Sequence, residues 1–390
     1  MLMRNTIVFS QLMLAVSVVL FTGCSSVLPV QSNGELLSSL SRVTEGDNAC
    51  RYSFGGDNGK NLFIVVEDKS SNYSNIYVKE SPFSASMTQK TGGNNYHMAP
   101  TYSPVTRRVA FSALQEGAYN RDIYMVDAVQ SNALIQITNT PNEDENFPSL
   151  SQDGSMIVYE KISNGNTRDC QIWIKNLKAN EEKVLGPGRM PSLSPDGRTI
   201  AFVKYTDDAK NTCLWTMNID GSNQVQVTYA KNDVVWHPRF SPDGTQILFQ
   251  CAPKRTKKNY DLYVIDRNGN NQTQLTINKS YDGEPYWAND GNIYFTSDRG
   301  AQSGRYQIWR FNYGKGTSSN VSSPQYSNSY QTPVSTPVQQ YGSSYHEVSQ
   351  GETISQIAQK YGVTVRDIVK WNGLQTMTLT RGMKLKVSAQ

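Results

Sequence analysis

The side chains of this 390-residue chain that could carry acid–base, nucleophilic or metal chemistry are few and scattered. Three histidines, His97, His237 and His346, stand far apart. None belongs to an H-E-x-x-H pair or to a grouping with serine and aspartate, the arrangements that hold zinc or activate a nucleophile. No G-x-S-x-G elbow occurs, and there is no room for an α/β-hydrolase domain. Asp153, Asp196, Asp243 and Asp290 recur, but each is followed by glycine. Asp-Gly tolerates the positive φ angles of a tight hairpin, so these aspartates are assigned to turn construction and not to acid catalysis or metal binding. Of the five cysteines, Cys50, Cys170, Cys213 and Cys251 lack the close paired spacing of a zinc site. No catalytic residue, metal ligand or cofactor is assigned, and the chain is read as a non-enzyme.

The elements around those turns repeat. "PRFSPDGTQILF" runs from Pro238 to Phe249 and "PSLSPDGRTIAF" from Pro191 to Phe202, with fainter copies beginning at Pro100, Pro148 and Pro285. Apolar alternation on either side of the Asp-Gly makes each copy strand, turn, strand. The prolines are 48, 43, 47 and 47 residues apart. Downstream of each comes an aliphatic–aromatic pair: Ile123-Tyr124, Ile172-Trp173, Leu214-Trp215, Leu262-Tyr263 and Ile308-Trp309, with Ile76-Tyr77 as an earlier sixth. Several units close on a short polar strand ending in threonine, at Thr228 and Thr276. A period in the forties holding four short strands is that of a β-propeller blade, which buries its faces only by stacking on neighbours in a ring.

These units resemble the TolB-type propeller repeats, with S-P-D-G, an aromatic strand, the aliphatic–aromatic pair and a terminal L-T, most closely over 191–228 and 238–276. The resemblance implies a mainly β fold, a six-bladed TolB-like propeller over residues 48–316. The first blade is degenerate, with extra glycines and Cys50 where later blades carry proline. The α/β domain that precedes the propeller in TolB has no counterpart expected here.

The N-terminus, "MLMRNTIVFSQLMLAVSVVLFTGC", places Arg4 before an apolar run from Ile7 to Phe21 and then Gly23-Cys24. That is the shape of a secretory signal, too short and wrongly flanked for a membrane span. "LFTGC" resembles a bacterial lipobox, with Phe21 where leucine is usual. The resemblance implies a signal peptide over 1–23, lipidation of Cys24, a tether over 24–47 and, with Ser25 following, an outer-membrane lipoprotein facing the periplasm. Export permits disulfides. Four cysteines allow three pairings, with Cys170 and Cys213 near equivalent positions of adjacent blades, and buried free thiols are the equal alternative. A net charge of +4 is too small and dispersed for nucleic acid. The basic cluster of Lys254, Arg255, Lys257 and Lys258 reads as a solvated hairpin tip.

Over 317–344 the apolar periodicity gives way to Ser, Pro, Gln and Tyr, a linker composition that cannot build a core. Then Tyr345 to Val348 alternates as a strand, and Thr353 with Gln356 has capping-box spacing. Ile354, Ile357, Ala358 and Tyr361 recur at helical spacing up to Gly362. A second short helix opens at Thr364 with Asp367, carries Val365, Ile368, Val369 and Trp371, and stops at Gly373. Leu385 and Val387 close with a strand. This α+β (βααβ) unit, 345–388, resembles a LysM domain through "GETISQIAQKYGV", "WNGL" and "RGMKLKV", with Arg381 where proline is common. The resemblance implies binding of peptidoglycan, an N-acetylglucosamine-containing glycan, by Gly351, Glu352, Thr353 and Ile354 from one loop and Asn372, Gly373, Leu374, Gln375, Thr376 and Met377 from another. Tyr361 and Trp371 are assigned to its core. The reading is therefore an envelope scaffold that grips peptidoglycan and, through the propeller, a protein partner. The alternatives are a glycan sensor whose propeller also holds saccharide, and a propeller enzyme such as a lyase or hydrolase.

Overall fold

The computed structural model describes residues 38–388 except 56–59, 72, 130–132, 164, 207–209, 230–232, 253–259, 301–304, 314–344, 350–356, 358–360, 362, 364 and 375–378. Each repeat folds as an antiparallel meander. Blade one holds Ala49–Gly55, Leu62–Glu67, Ser74–Lys79 and Thr88–Gln89; blade two Tyr96–Ser103, Arg108–Leu114, Asp122–Asp127 and Ile135–Gln136. Blade three holds Glu143–Leu150, Met156–Ser163, Gln171–Asn176 and Glu181–Pro187; blade four Arg189–Leu193, Thr199–Tyr205, Thr212–Asn218 and Val225–Gln226. Blade five holds Val234–Phe240, Gln246–Ala252, Asp261–Asp266 and Thr273–Gln274. Among the described residues, blade six has three strands from its own repeat, Asp282–Trp287, Asn292–Ser297 and Gln307–Asn312. Its fourth is Ser38–Arg42, antiparallel to Gln307–Asn312. A single bridge from Ser74 to Tyr96 joins blades one and two edge to edge.

The ring closes on apolar contacts. Six clusters of buried side chains each straddle two neighbouring blades, including one shared by blade six (Tyr294, Ile308) and blade one (Leu62, Ile64). The aliphatic member of every repeated pair, Ile76, Ile123, Ile172, Leu214, Leu262 and Ile308, is wholly buried. Each such burial contributes roughly 1.5–3 kcal/mol, so no blade is stable without its neighbours.

The terminal threonines have a defined task. The backbone N–H groups of Ile76, Ile123, Leu214 and Leu262 donate to the hydroxyls of Thr91, Thr138, Thr228 and Thr276 at 2.8–2.9 Å, pinning each two-residue outer strand. In blade six the Ile308 N–H donates to Thr44 Oγ1 at 2.9 Å, and that hydroxyl donates to Gln307 Oε1 at 2.7 Å. "SRVT", residues 41–44, is thus the missing end of the sixth repeat. Residues 38–44, expected within a tether over 24–47, belong to the propeller instead, because a ring of stacked blades is locked best when its first and last segments share a sheet.

The four cysteines of the propeller are free and buried, with no disulfide among them. In the C-terminal module Tyr345–Glu347 pairs antiparallel with Lys384–Lys386, and the helix Val365–Asn372 packs on a core of Val348, Ile357, Ile368, Leu385 and Val387. Tyr361, assigned to that core, is instead 36% exposed. Its hydroxyl lies 3.0 Å from His346 Nδ1, a polar bond that holds it at the edge. Trp371 is partly buried and outside the core cluster. Among the described residues no helix is long and apolar enough to cross a membrane. The apolar run 7–21, Cys24 and the basic cluster at 254–258 lie outside the described residues.

Candidate functional site

The six innermost strands share a kink. Each register shift carries one non-glycine residue at positive φ: Tyr52, Ala99, Phe147, Met190, His237 and Glu284, all between 48° and 52°. An L-residue adopts this left-handed region only where its surroundings compensate. Here a neighbouring blade supplies an acceptor. Met190 N–H donates to Glu160 Oε2 at 2.9 Å, Glu284 N–H to Gln250 Oε1 at 2.7 Å, and Tyr52 N–H to Glu284 Oε2 and Thr296 Oγ1, each at 3.2 Å. The five repeat prolines follow directly after this position in blades two to six, where their fixed φ starts the extended segment.

The kinks aim three rings at the axis. Tyr52, Phe147 and His237, from blades one, three and five, lie with centroids 5.3–6.4 Å apart. They form a plug. Burial, then the cations Arg239, Arg51 and Arg189, hold His237 well below its ordinary pKa. Ion pairs join the blades beside it: Arg51 bonds Glu284 across the closure between blades one and six, and Arg189 Nη2 reaches Glu160 Oε1 at 3.1 Å between blades four and three. Arg299 pairs with Asp282 within blade six.

One residue pair beyond the plug, register places Phe54, Thr101, Ser149, Ser192, Arg239 and Tyr286 at equivalent positions of the six blades. They line a cavity of about 320 Å³ on the side of the Asp-Gly turns. The Phe54 and Tyr286 rings lie against each other with centroids 4.4 Å apart and planes tilted by 34°. A methyl group at Gly55 would come within 2.7 Å of the Tyr286 ring, so the extra glycine of the degenerate first blade makes room for that contact. Among the described residues Arg239 has neither a hydrogen bond nor a carboxylate partner, unlike Arg51, Arg189 and Arg299. Sequence reasoning passed over it, although the signal was in the opening repeat: "PRFSPDG" carries arginine where three sister repeats carry Thr101, Ser149 and Ser192.

The turn aspartates are held by their own hairpins. Asp153 accepts from the Ser151 and Ser155 hydroxyls, Asp196 from Ser194, Asp243 from Ser241 and Thr245, and Asp290 from the Asn292 N–H. No group of three or more His, Cys, Asp or Glu among the described residues is arranged to hold a metal. A second cleft, of about 740 Å³, lies between blades four and five.

Of the ten residues assigned to glycan, Asn372, Gly373 and Leu374 are described; 351–354 and 375–377 lie outside the described residues. The Asn372 amide donates to the Ile368 and Lys386 carbonyls, at 2.7 and 2.9 Å, and accepts from the Lys386 N–H at 2.7 Å. It ties the helix to the last strand. Gly373 terminates the helix at φ 58°, and Leu374 packs on the module's core.

Comparison with known proteins agrees with this architecture. A family model for the TolB beta propeller domain matches residues 186–364, and one for the LysM domain matches 346–388. The chain carries a TolB-like propeller and a C-terminal LysM domain. Over 199 residues, 50% of this chain, it is 28% identical to the Tol-Pal system protein TolB of Francisella tularensis subsp. tularensis. Over 47 residues it is 47% identical to the N-acetylmuramoyl-L-alanine amidase sle1 of Staphylococcus aureus. The matches span 44% of that TolB and 14% of that amidase. In fold, a putative TolB from Agrobacterium tumefaciens superposes with a TM-score of 0.51 at 19% identity, covering 61% of this chain and 87% of that one. An oligogalacturonate lyase in complex with manganese superposes with a TM-score of 0.51 at 17% identity, covering 72% and 94%. At such identity both describe the fold alone.

Proposed function

We propose that this protein is a non-enzymatic component of the bacterial cell envelope that holds peptidoglycan through its LysM domain and a protein partner through its propeller. Lipid on Cys24 anchors it to the outer membrane, facing the periplasm. The reading is carried by the joining, in one chain, of a TolB-like propeller with a LysM domain that is similar over 47 residues to an N-acetylmuramoyl-L-alanine amidase. The glycan lies between loops 351–354 and 372–377, contacted at Asn372 by backbone, since its side chain is committed to Lys386. Gly373 allows close approach, and the loop residues Thr353, Gln375 and Thr376 pair with acetamido groups.

The propeller suits docking because its axis is plugged by side chains and the Asp-Gly turns of blades three to six stand around the axial cavity. Attachment to the wall raises the effective concentration of a wall-associated partner, so a modest propeller contact suffices. The test is co-sedimentation with purified sacculi. The full chain should pellet, and a chain ending at residue 344 should stay in the supernatant while still cross-linking to its envelope partner. Equal pelleting of both chains would remove the LysM domain from the reading.

A further inference from the structure

We infer that the axial cavity of the propeller is a binding site for a carboxylate carried on a small apolar or ring-shaped body. The inference concerns the propeller alone and stands whether or not a protein docks there.

The first observation is a charge without a counter-charge. Arg239 projects into a cavity whose described lining contains no aspartate or glutamate. Arg239 is half-buried, and a guanidinium partly withdrawn from bulk water is costly unless an anion or a set of acceptors meets it. The same ring of blades shows how the chain satisfies that requirement elsewhere: Arg51 has Glu284, Arg189 has Glu160, and Arg299 has Asp282. Nothing of the kind is provided for Arg239. The turn aspartates on that face are engaged by their own hydroxyl and backbone donors. Arg239 also stays charged at neutral pH, since burial lowers its pKa only to about 10.

The second observation is the arrangement around it. Going round the ring from blade five backwards, Arg239 is followed by the hydroxyl residues Ser192, Ser149 and Thr101. Ser149 and Thr101 each accept a backbone N–H from the next blade, Leu193 at 3.0 Å and Leu150 at 3.3 Å. Their hydroxyl hydrogens are thereby left to donate. Going the other way from Arg239 come Tyr286 and Phe54, their rings packed against each other at 4.4 Å. One arc donates hydrogen bonds beside a planar fork of N–H groups, which matches the two oxygens of a carboxylate. The opposite arc is aromatic and suits the body that bears it. The plug of Tyr52, Phe147 and His237 closes the far end, so a ligand enters from the Asp-Gly turn side only. A cavity of about 320 Å³ is at the small end of ligand sites and takes a single residue or sugar unit.

Two sources share this chemistry, the carboxyl end of a peptide and an acidic sugar. Isothermal titration of the full chain with N-acetyl-glycyl-phenylalanine, its C-terminal amide, D-glucuronate and sodium chloride distinguishes them. Binding of the free-acid peptide but not the amide assigns a peptide terminus; binding of glucuronate alone assigns an acidic sugar. Either result supports the site, provided that Arg239→Gln weakens it at least tenfold and Arg239→Lys restores part of it. Arg239→Gln should also raise the Tm of the ligand-free chain, because it removes an uncompensated cation. A structural arginine would lower it. Absence of carboxylate binding by the wild-type chain, or equal response to chloride, overturns the inference, and this holds even if Arg239→Gln fails to fold.

Discussion

His237 is neutral in the folded chain, buried in the axial plug with Arg239, Arg51 and Arg189 as its charged neighbours. His97 is likewise lowered by burial, with the Ser74 carbonyl opposing at 2.6 Å from Nδ1. In the unfolded chain both gain a proton as the pH falls through about 6.5. The folded chain resists that uptake. Stability is therefore fully present above about pH 6.5 and is lost below it. Replacing His237 with Phe keeps a ring in the plug and removes one such group. Urea midpoints measured from pH 7.5 to 5 should show the variant losing less stability than wild type, by up to about 1.4 kcal/mol per pH unit. Parallel profiles would mean that His237 titrates normally. The cysteines belong to the same scale: burial pushes the Cys50 thiol up to about 11 and Cys170 to about 12, so both are protonated and inert at neutral pH.

Among the elements, the strand Ser38–Arg42 has the largest consequence for its length. It covers the outer edge of Gln307–Asn312, and Thr44 fastens it there. Thr44→Val leaves the Ile308 N–H and Gln307 Oε1 without the Thr44 hydroxyl, at a cost of about 1–3 kcal/mol, read as a lower urea midpoint. A chain beginning at residue 45 should fare worse, with an open strand edge that pairs with other copies and a shift to larger species on size exclusion. Unchanged Tm and elution in that shortened chain would contradict the closure. The outer strands of blades one, two, four and five lie within their own repeats, each followed by its threonine, Thr91, Thr138, Thr228 or Thr276. This one does not, since its "VT" stands before the first blade and its partner lies 264 residues away.

At the scale of the whole molecule, the proposed arrangement sets the propeller between a lipid-anchored N-terminus at the membrane and a LysM domain at the wall. In the proposed arrangement the acyl chains on Cys24 hold the membrane. Cys24→Ala should move the protein from the detergent phase to the aqueous phase in a phase-separation experiment. Partition of the wild-type chain into the aqueous phase would exclude lipidation.

The sequence by itself determined the repeat, its Asp-Gly turns, its buried aliphatic positions and the small terminal domain. All of these are local: a turn dipeptide, an alternation of period two and a helical spacing need only neighbouring residues to be read. The tertiary structure alone decided which segment closes the ring, which rings meet at the axis and which cavity holds an arginine without a carboxylate. Those depend on residues from blades far apart in the chain being carried to one axis by a common twist and register. Tyr52, Phe147 and His237 come from alternate blades and differ in residue type, so nothing local announces that their rings meet, and the pairing of Arg51 with Glu284 exists only because the last blade packs on the first. Arg239 shows the boundary: as a departure from its repeat it was visible in one dimension, but its isolation from every described carboxylate is a property of the assembled ring.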